Sequence, residues 1–220
     1  MPDFSRPRLR AVLLDWDGTL LNSFRADTTA YLKMFGALGV PWGLAELQQH
    51  YSPDWYRVYR AARIPKSRWM EADRAWRQYY AEEVSELLPG ARAALRWLGR
   101  RYQLGLVTSG DRSRVTRQLR RFALTRSFAV RVCAEDAKPH KPHPAPLRMA
   151  MRLLGRRPED CLYVGDSAED VEMARSARVR SIGVLGPFPT HDRVRAAAPD
   201  ALVRSVREVP ALLADLSEKL

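Results

Sequence analysis

Three short stretches of this chain place carboxylates, hydroxyls and glycines directly after apolar runs. Asp15-Trp16-Asp17-Gly18-Thr19-Leu20 follows VLL, Thr108-Ser109-Gly110-Asp111 follows LGLV, and Asp166-Ser167-Ala168-Glu169-Asp170 follows LYVG. Two carboxylates two residues apart, as in Asp15 and Asp17, fall on one side of an extended chain. One can then attack an electrophile while the other handles a proton. Phosphoryl transfer suits such a set, but a carboxylate approaching a phosphate dianion meets about 8 kcal/mol of repulsion at ~4 Å and an effective dielectric of ~20. A cation has to offset that. Oxygen ligands such as Asp15 and Asp166 suit Mg²⁺, which prefers hard donors and keeps several waters. Thr108, Ser109 and Gly110 read as the opening of a helix, where hydroxyls and backbone N–H groups hold phosphate oxygens. A lysine would complete the clamp, and the segment KPHKPHP at 138–144 supplies Lys138 and Lys141. Each cluster also has a plainer reading: an Asx turn at 15–17, a helix cap at 108–111, solvated helix-start carboxylates at 166–170.

The elements that would position these residues follow from the alternation of apolar runs with helical periodicity. Residues 8–14 (RLRAVLL) read as a buried strand ending at Asp15. From residue 90 onward, helix 91–100 precedes strand 103–107, helix 112–122 precedes strand 128–133, and helix 146–155 precedes strand 161–164. Helix 168–177 then precedes strand 180–185, and strand 201–203 precedes a C-terminal helix near 207–219. This order predicts an α/β fold with a doubly wound, Rossmann-like parallel sheet. Ligands in such sheets bind outside the carboxyl ends of the strands, where all three polar clusters stand.

Residues 22–89 differ in composition. They hold four of the six Trp and six of the eight Tyr, with Gly and Pro near 39–43, 53 and 65. Helical periodicity over 24–38 and 67–88 predicts an all-helical insert, so the expected domains are a core of 1–21 with 90–220 and an inserted domain of 22–89. Trp and Tyr at helical spacing point first to a small-domain core and second to an aromatic lid. Arg57, Arg60 and Arg63 read as a solvated basic face or as a reach toward an acidic substrate.

The net charge is +12 and the pI about 10.3. Only five of the 37 basic residues are lysine, and the arginines spread along the whole chain. An even arginine bias argues against a nucleic-acid stripe, while its positive field still draws in small anions. The polar start MPDFSRPRLR has no signal-peptide segment and no apolar run approaches a bilayer span. Cys133 and Cys161 are too few for a disulfide framework and read as packing residues in a cytoplasmic setting. No role is assigned to His50, His140, His143 or His191.

With these residues in place, the chain resembles the haloacid dehalogenase-like (HAD) superfamily. DWDGTL at 15–20 is similar to the DxDGT signature, and Thr108 matches the Ser/Thr of the second strand motif. Lys141-Pro142-His143-Pro144 resembles the K-P-x-P motif, and Gly165–Asp170 resembles GDxxxD. The motifs stand in family order across nearly the whole chain. The insert resembles the C1 helical cap of the phosphoglycolate phosphatase-like branch. The resemblance implies Asp15 as nucleophile and metal ligand, and Asp17 as general acid/base lending its backbone carbonyl to the metal. It further implies Thr108 and Lys141 on the phosphoryl group, Asp166 as the third ligand to Mg²⁺, and Asp170 in support, with Gly18 and Thr19 completing the signature. Lys141 and not Lys138 carries the motif. Asn22-Ser23 stands where the family often has Asp-Ser, and Trp16 is a bulky middle residue that suggests tight packing. The implied activity is hydrolysis of a small phosphorylated metabolite through an aspartyl-phosphate. A phosphosugar mutase (β-phosphoglucomutase-like) or a nucleotidase of the same superfamily would use the same residues, and a basic binding module without activity would not need so complete a set. A monomer and a dimer both remain open.

Overall fold

The structure, a computed structural model, describes residues 9–218. Arg8 of the first expected strand, Lys219 of the expected last helix and most of the polar start lie outside the described residues. In chain order the elements are β1 (Ala11–Leu14), β2 (Leu21–Asn22), α1 (Phe24–Leu38), α2 (Leu44–His50), α3 (Trp55–Ala61), α4 (Trp69–Ala81), β3 (Glu86–Leu87), α5 (Ala91–Gly99) and β4 (Gln103–Val107). They continue with α6 (Arg112–Arg121), β5 (Val130–Val132), α7 (Ala145–Leu154), β6 (Cys161–Gly165), α8 (Ala168–Ser176), β7 (Arg180–Val184), α9 (His191–Ala196), β8 (Ala201–Val203) and α10 (Val209–Glu218). No described helix is long and apolar enough to cross a membrane.

Six strands form one sheet in the order β5-β4-β1-β6-β7-β8, and every neighbouring pair is parallel. In order along the chain this is 3-2-1-4-5-6, the doubly wound arrangement. Period-two alternation sorts the side chains. Val12, Leu14, Leu104, Leu106, Leu162 and Val164 join one buried cluster with residues of α5, α6 and α10. Ala11, Leu13, Val107, Cys161 and Tyr163 join another with residues of α7 and α8. Two layers of helix therefore cover a sheet that reads as apolar on both faces, as buried parallel strands do. Both cysteines are unpaired and buried.

Chain contacts divide the molecule into two compact units. One joins the residues up to Leu21 with those from Leu87 onward; the other is Asn22–Glu86. Within the second unit, Tyr31, Met34, Phe35, Leu47, Val58 and Tyr59 form a core against which Trp42, Trp55, Trp69 and Trp76 pack. Its aromatics meet one another, as in the Tyr56–Trp69 stack at 4.7 Å between centroids. Arg57 and Arg60 each lie 3.7 Å from Asp54, which caps α3 through the Tyr56 N–H.

Some expectations are corrected. The helical signal over 67–88 ends at Ala81, because Glu82 and Glu83 put negative charge at a helix C-terminus; both turn instead to Lys33. α2, α3 and α9 lie where no helical period was visible, each being seven residues or fewer. Thr108, Ser109 and Gly110 do not open a helix. Asp111 is the N-cap of α6, its carboxylate accepting the Arg114 N–H at 2.9 Å, so the three residues form the turn before it. Lys141 stands in a turn rather than an extended segment.

Gly105 marks where the sheet is tightest. A Cβ there would overlap the Leu13 side chain and stand 2.9 Å from Val130. Overpacking of this kind costs about 1–3 kcal/mol. Gly105→Ala should lower the urea unfolding free energy by that amount, and an unchanged midpoint would show that Leu13 has room to yield.

Candidate active site

Asp15 is the first residue past β1. Its N–H donates to the Val164 carbonyl at 2.9 Å, carrying the β1–β6 ladder one step beyond the strand. Leu14 is level with Leu106 on β4 and with Val164 on β6, so Thr108 and Asp166 flank Asp15 at the same end of the sheet. β1 and β6 are also where the winding direction reverses, the place at which such folds open a crevice.

Lys141 ties this end together. Its ammonium donates to Asp15 Oδ1 at 2.6 Å and to Asp170 Oδ1 at 2.7 Å. Lys138 is exposed. Asp170 is itself held on several sides. Tyr163 donates its hydroxyl to Asp170 Oδ1 at 2.8 Å and lies 3.1 Å from the Val107 carbonyl. Ser167 caps α8, accepting the Asp170 N–H and giving both its own N–H and its hydroxyl to Asp170 Oδ2. The capping box of a helix start thus doubles as the mount for a buried carboxylate.

Asp166 sits beside them. Thr19 donates its hydroxyl to Asp166 Oδ1 at 3.3 Å, and Thr190 donates to the Asp166 carbonyl oxygen at 3.2 Å. Gly18 has a φ of +80°, and a Cβ at this position would overlap the Asp166 carboxylate. The signature glycine is required by both backbone and space. Thr108 is buried, and its hydroxyl oxygen accepts the Gly110 N–H at 3.0 Å. Ser109 lies between them in the turn.

Asp15, Asp166 and Asp170 are all buried, and each offers a carboxylate oxygen within 4.8 Å of the others. One ammonium serves these three carboxylates. Burial, reinforced by Asp170 and opposed by Lys141, pushes the Asp15 carboxyl up to about 7. Burial, with Asp15 and Asp170 adding to it, holds Asp166 well above the usual range. For Lys141, burial disfavours the charge, but Asp15 and Asp170 outweigh it and raise the value. The cluster therefore demands more positive charge than Lys141 supplies. Its all-oxygen donor set, three carboxylates facing one ammonium, fits a hard divalent cation.

The Asp17 carboxylate is not one of this trio, although its charge adds to the upward push on Asp15 and Asp166. Arg114 of α6 holds Asp17, with Nη1 donating to Oδ1 at 2.8 Å and Nη2 to Oδ2 at 2.7 Å. The parts played by Arg114 and Tyr163 are not visible in the sequence. A buried Tyr inside an apolar strand was a usable signal, since its hydroxyl needs a partner; Arg114 offered none beyond standing three residues after Asp111.

Residues 12–184 match the haloacid dehalogenase-like hydrolase family. The chain is 28% identical over 214 residues to a phosphoglycolate phosphatase of Nitrosococcus oceani, spanning 92% of this chain and 95% of that one. It is 25% identical over 215 residues to pyrophosphatase PpaX of Bacillus cereus, spanning 96% and 99%. Among solved structures, CbbY from Rhodobacter sphaeroides in complex with phosphate matches at 26% identity with a TM-score of 0.77, covering 91% of this chain and 96% of that one.

Removing the ammonium would leave the carboxylates uncompensated. Lys141→Ala should cost about 3–5 kcal/mol of stability, as does breaking a buried ion pair from one side. Lys138→Ala should stay within about 0.5 kcal/mol. Urea unfolding of the two variants compares them directly, and equal losses would mean that the buried lysine is not the one that balances the site.

Proposed function

The chain belongs to the haloacid dehalogenase-like hydrolase family and is a phosphatase; from that premise we propose that it hydrolyses a small phosphomonoester through a phosphoryl group carried on Asp15, with Mg²⁺ at the buried carboxylates. The observation that carries this reading is the surplus of charge around Lys141. Three carboxylates share one ammonium, a site built to receive a divalent cation and a phosphoryl group together.

In this mechanism Asp15 attacks phosphorus, and its bond to the phosphoryl group forms as the ester oxygen departs. Asp17 gives that oxygen a proton and then takes one from the water that attacks the aspartyl-phosphate; the Asp15–phosphorus bond breaks as the water bond forms, phosphate leaves, and both carboxylates end as they began. Lys141 offsets charge on Asp15 and on the transferring group. Thr108 and the Ser109 N–H hold phosphoryl oxygens, and Gly110, whose N–H donates to the Thr108 hydroxyl oxygen, shapes the turn that presents them. Asp15, Asp166 and the Asp17 carbonyl would hold Mg²⁺, which when bound neutralises charge on the nucleophile and phosphoryl oxygens. Asp170, taken up by Lys141, Tyr163 and Ser167, keeps the lysine aimed.

The substrate class rests on the relatives, whose names specify phosphoglycolate and pyrophosphate, both small phosphorylated anions. The net charge of +12 suits their approach. Two buried, unpaired cysteines are compatible with the cytoplasm.

Asp15→Asn keeps the shape of the side chain and removes the attacking charge; turnover should fall by more than ~10³-fold, and near-normal rates would sink the mechanism. Asp17→Asn should impair an alkyl phosphate more than p-nitrophenyl phosphate, whose leaving group needs little protonation. Equal losses on both would contradict the acid role. Asp166→Ala should raise the Mg²⁺ concentration needed for half-maximal rate or abolish activity while the fold is retained; full wild-type activity in EDTA would remove the metal from the reading.

A further inference from the structure

Arg114 stands 97 residues from Asp17 in sequence, yet its guanidinium meets both carboxylate oxygens at hydrogen-bond distance. Only 7% of it is exposed, and arginine is seldom so buried without a partner that requires it. Its surroundings are built for the purpose. Asp111 caps α6 through the Arg114 N–H and lies 3.8 Å from Arg114 Nε. Gly110 leaves room for the fork, because a Cβ at that position would overlap Arg114 Nη2. One turn further along α6, the Gln118 side-chain oxygen accepts from Trp16 Nε1 at 2.8 Å. Two side chains one helical turn apart therefore grip two consecutive residues of the loop that follows β1.

Two parallel charge-assisted bonds fix not only the place of a carboxylate but the plane in which it lies. An acid/base that serves first a departing oxygen and then a water depends on that orientation. Each carboxylate oxygen has two lone pairs, so the fork leaves one on each for the proton that Asp17 passes. A lysine on the same stem would supply charge without the plane.

We infer that Arg114 is a positioning residue that acts on the reaction through Asp17 and not on the substrate. The inference rests on the acid/base reading of Asp17 given above. It gives α6 a second role. Beyond covering the sheet, the helix aims the proton-handling group, while Lys141 aims the nucleophile.

The test is a double-mutant cycle of Arg114→Met and Asp17→Asn, with Arg114→Lys as a variant that keeps the buried charge. Rates are read as kcat/KM, which reports transfer to Asp15, on an alkyl phosphate, phenyl phosphate and p-nitrophenyl phosphate with saturating Mg²⁺. Arg114→Met and Arg114→Lys should both lose about 10–100-fold on the alkyl ester and progressively less along the series, the grading expected of Asp17→Asn. A merely structural role would lower all three substrates alike. On phenyl phosphate the double variant should match Asp17→Asn within about twofold. Full additivity, or an ungraded loss, would overturn the role of Arg114 while leaving Asp17 in place. An ungraded Asp17→Asn would instead overturn the acid/base reading and the inference with it. If Arg114→Met does not fold, Arg114→Lys alone decides, because an Arg114→Lys enzyme with wild-type rates on the alkyl ester would show that the fork is dispensable.

Discussion

The ammonium of Lys141 between Asp15 and Asp170 is the contact on which the rest of this site depends. Three carboxylates buried with oxygens within 4.8 Å of one another must either gain a cation or give up charge. Lys141 answers only part of that demand, and burial, reinforced by the neighbouring carboxylates, still pushes Asp15 and Asp166 upward. A fully neutralised cluster would be more comfortable for the fold and useless as a receptor for more charge. The surplus is thus a structural cost retained where binding can relieve it, as strain is retained at functional sites.

The sheet makes that cost tolerable. Parallel strands buried on both faces satisfy their own backbone and leave the ladder rigid. Asp15 is still hydrogen-bonded to the Val164 carbonyl, so the proposed nucleophile stands on the ladder and not on a free loop. Asp166 belongs to the next strand over, and Asp170 is anchored by a capping box at the start of the helix that follows. Each carboxylate is fixed by an element whose stability comes from apolar burial, and Tyr163 links the two by lying in that core while donating to Asp170.

Much of this was legible in the sequence because the chemistry sits at strand ends, and strand ends are where apolar runs stop. Asp15, Thr108 and Asp166 stood out for that reason, and the K-P-x-P pattern separated Lys141 from Lys138. What stayed hidden was of two kinds. Short elements, such as α3 and α9, contain too few turns for a period to emerge. Pairings across the fold leave no local trace: nothing near Arg114 announces a carboxylate 97 residues away, and nothing near Asp17 announces an arginine. The turn at Thr108–Gly110 was misread as a helix start because caps and phosphate-holding loops draw on the same residue types. Only Asp111, by accepting the Arg114 N–H, shows where the helix begins.

The two carboxylates of the signature end up in opposite electrostatic situations despite being neighbours in sequence. Asp15 shares one ammonium with other carboxylates, whereas both oxygens of Asp17 are taken by a guanidinium. An extended chain would aim both the same way; the turn through Gly18, with Leu20 and Leu21 donating back to the Trp16 carbonyl, and the buried Trp16 ring let them diverge. That divergence separates the two roles. In the proposed reaction the carboxylate short of positive charge is the one that meets the cation and the phosphoryl group, and the one held in plane by Arg114 handles the proton. Paired acidic residues perform different chemistry when their environments differ. In this chain the difference is set by which helix each one faces: α6 for Asp17, and the segment leading into α7, with Lys141, for Asp15.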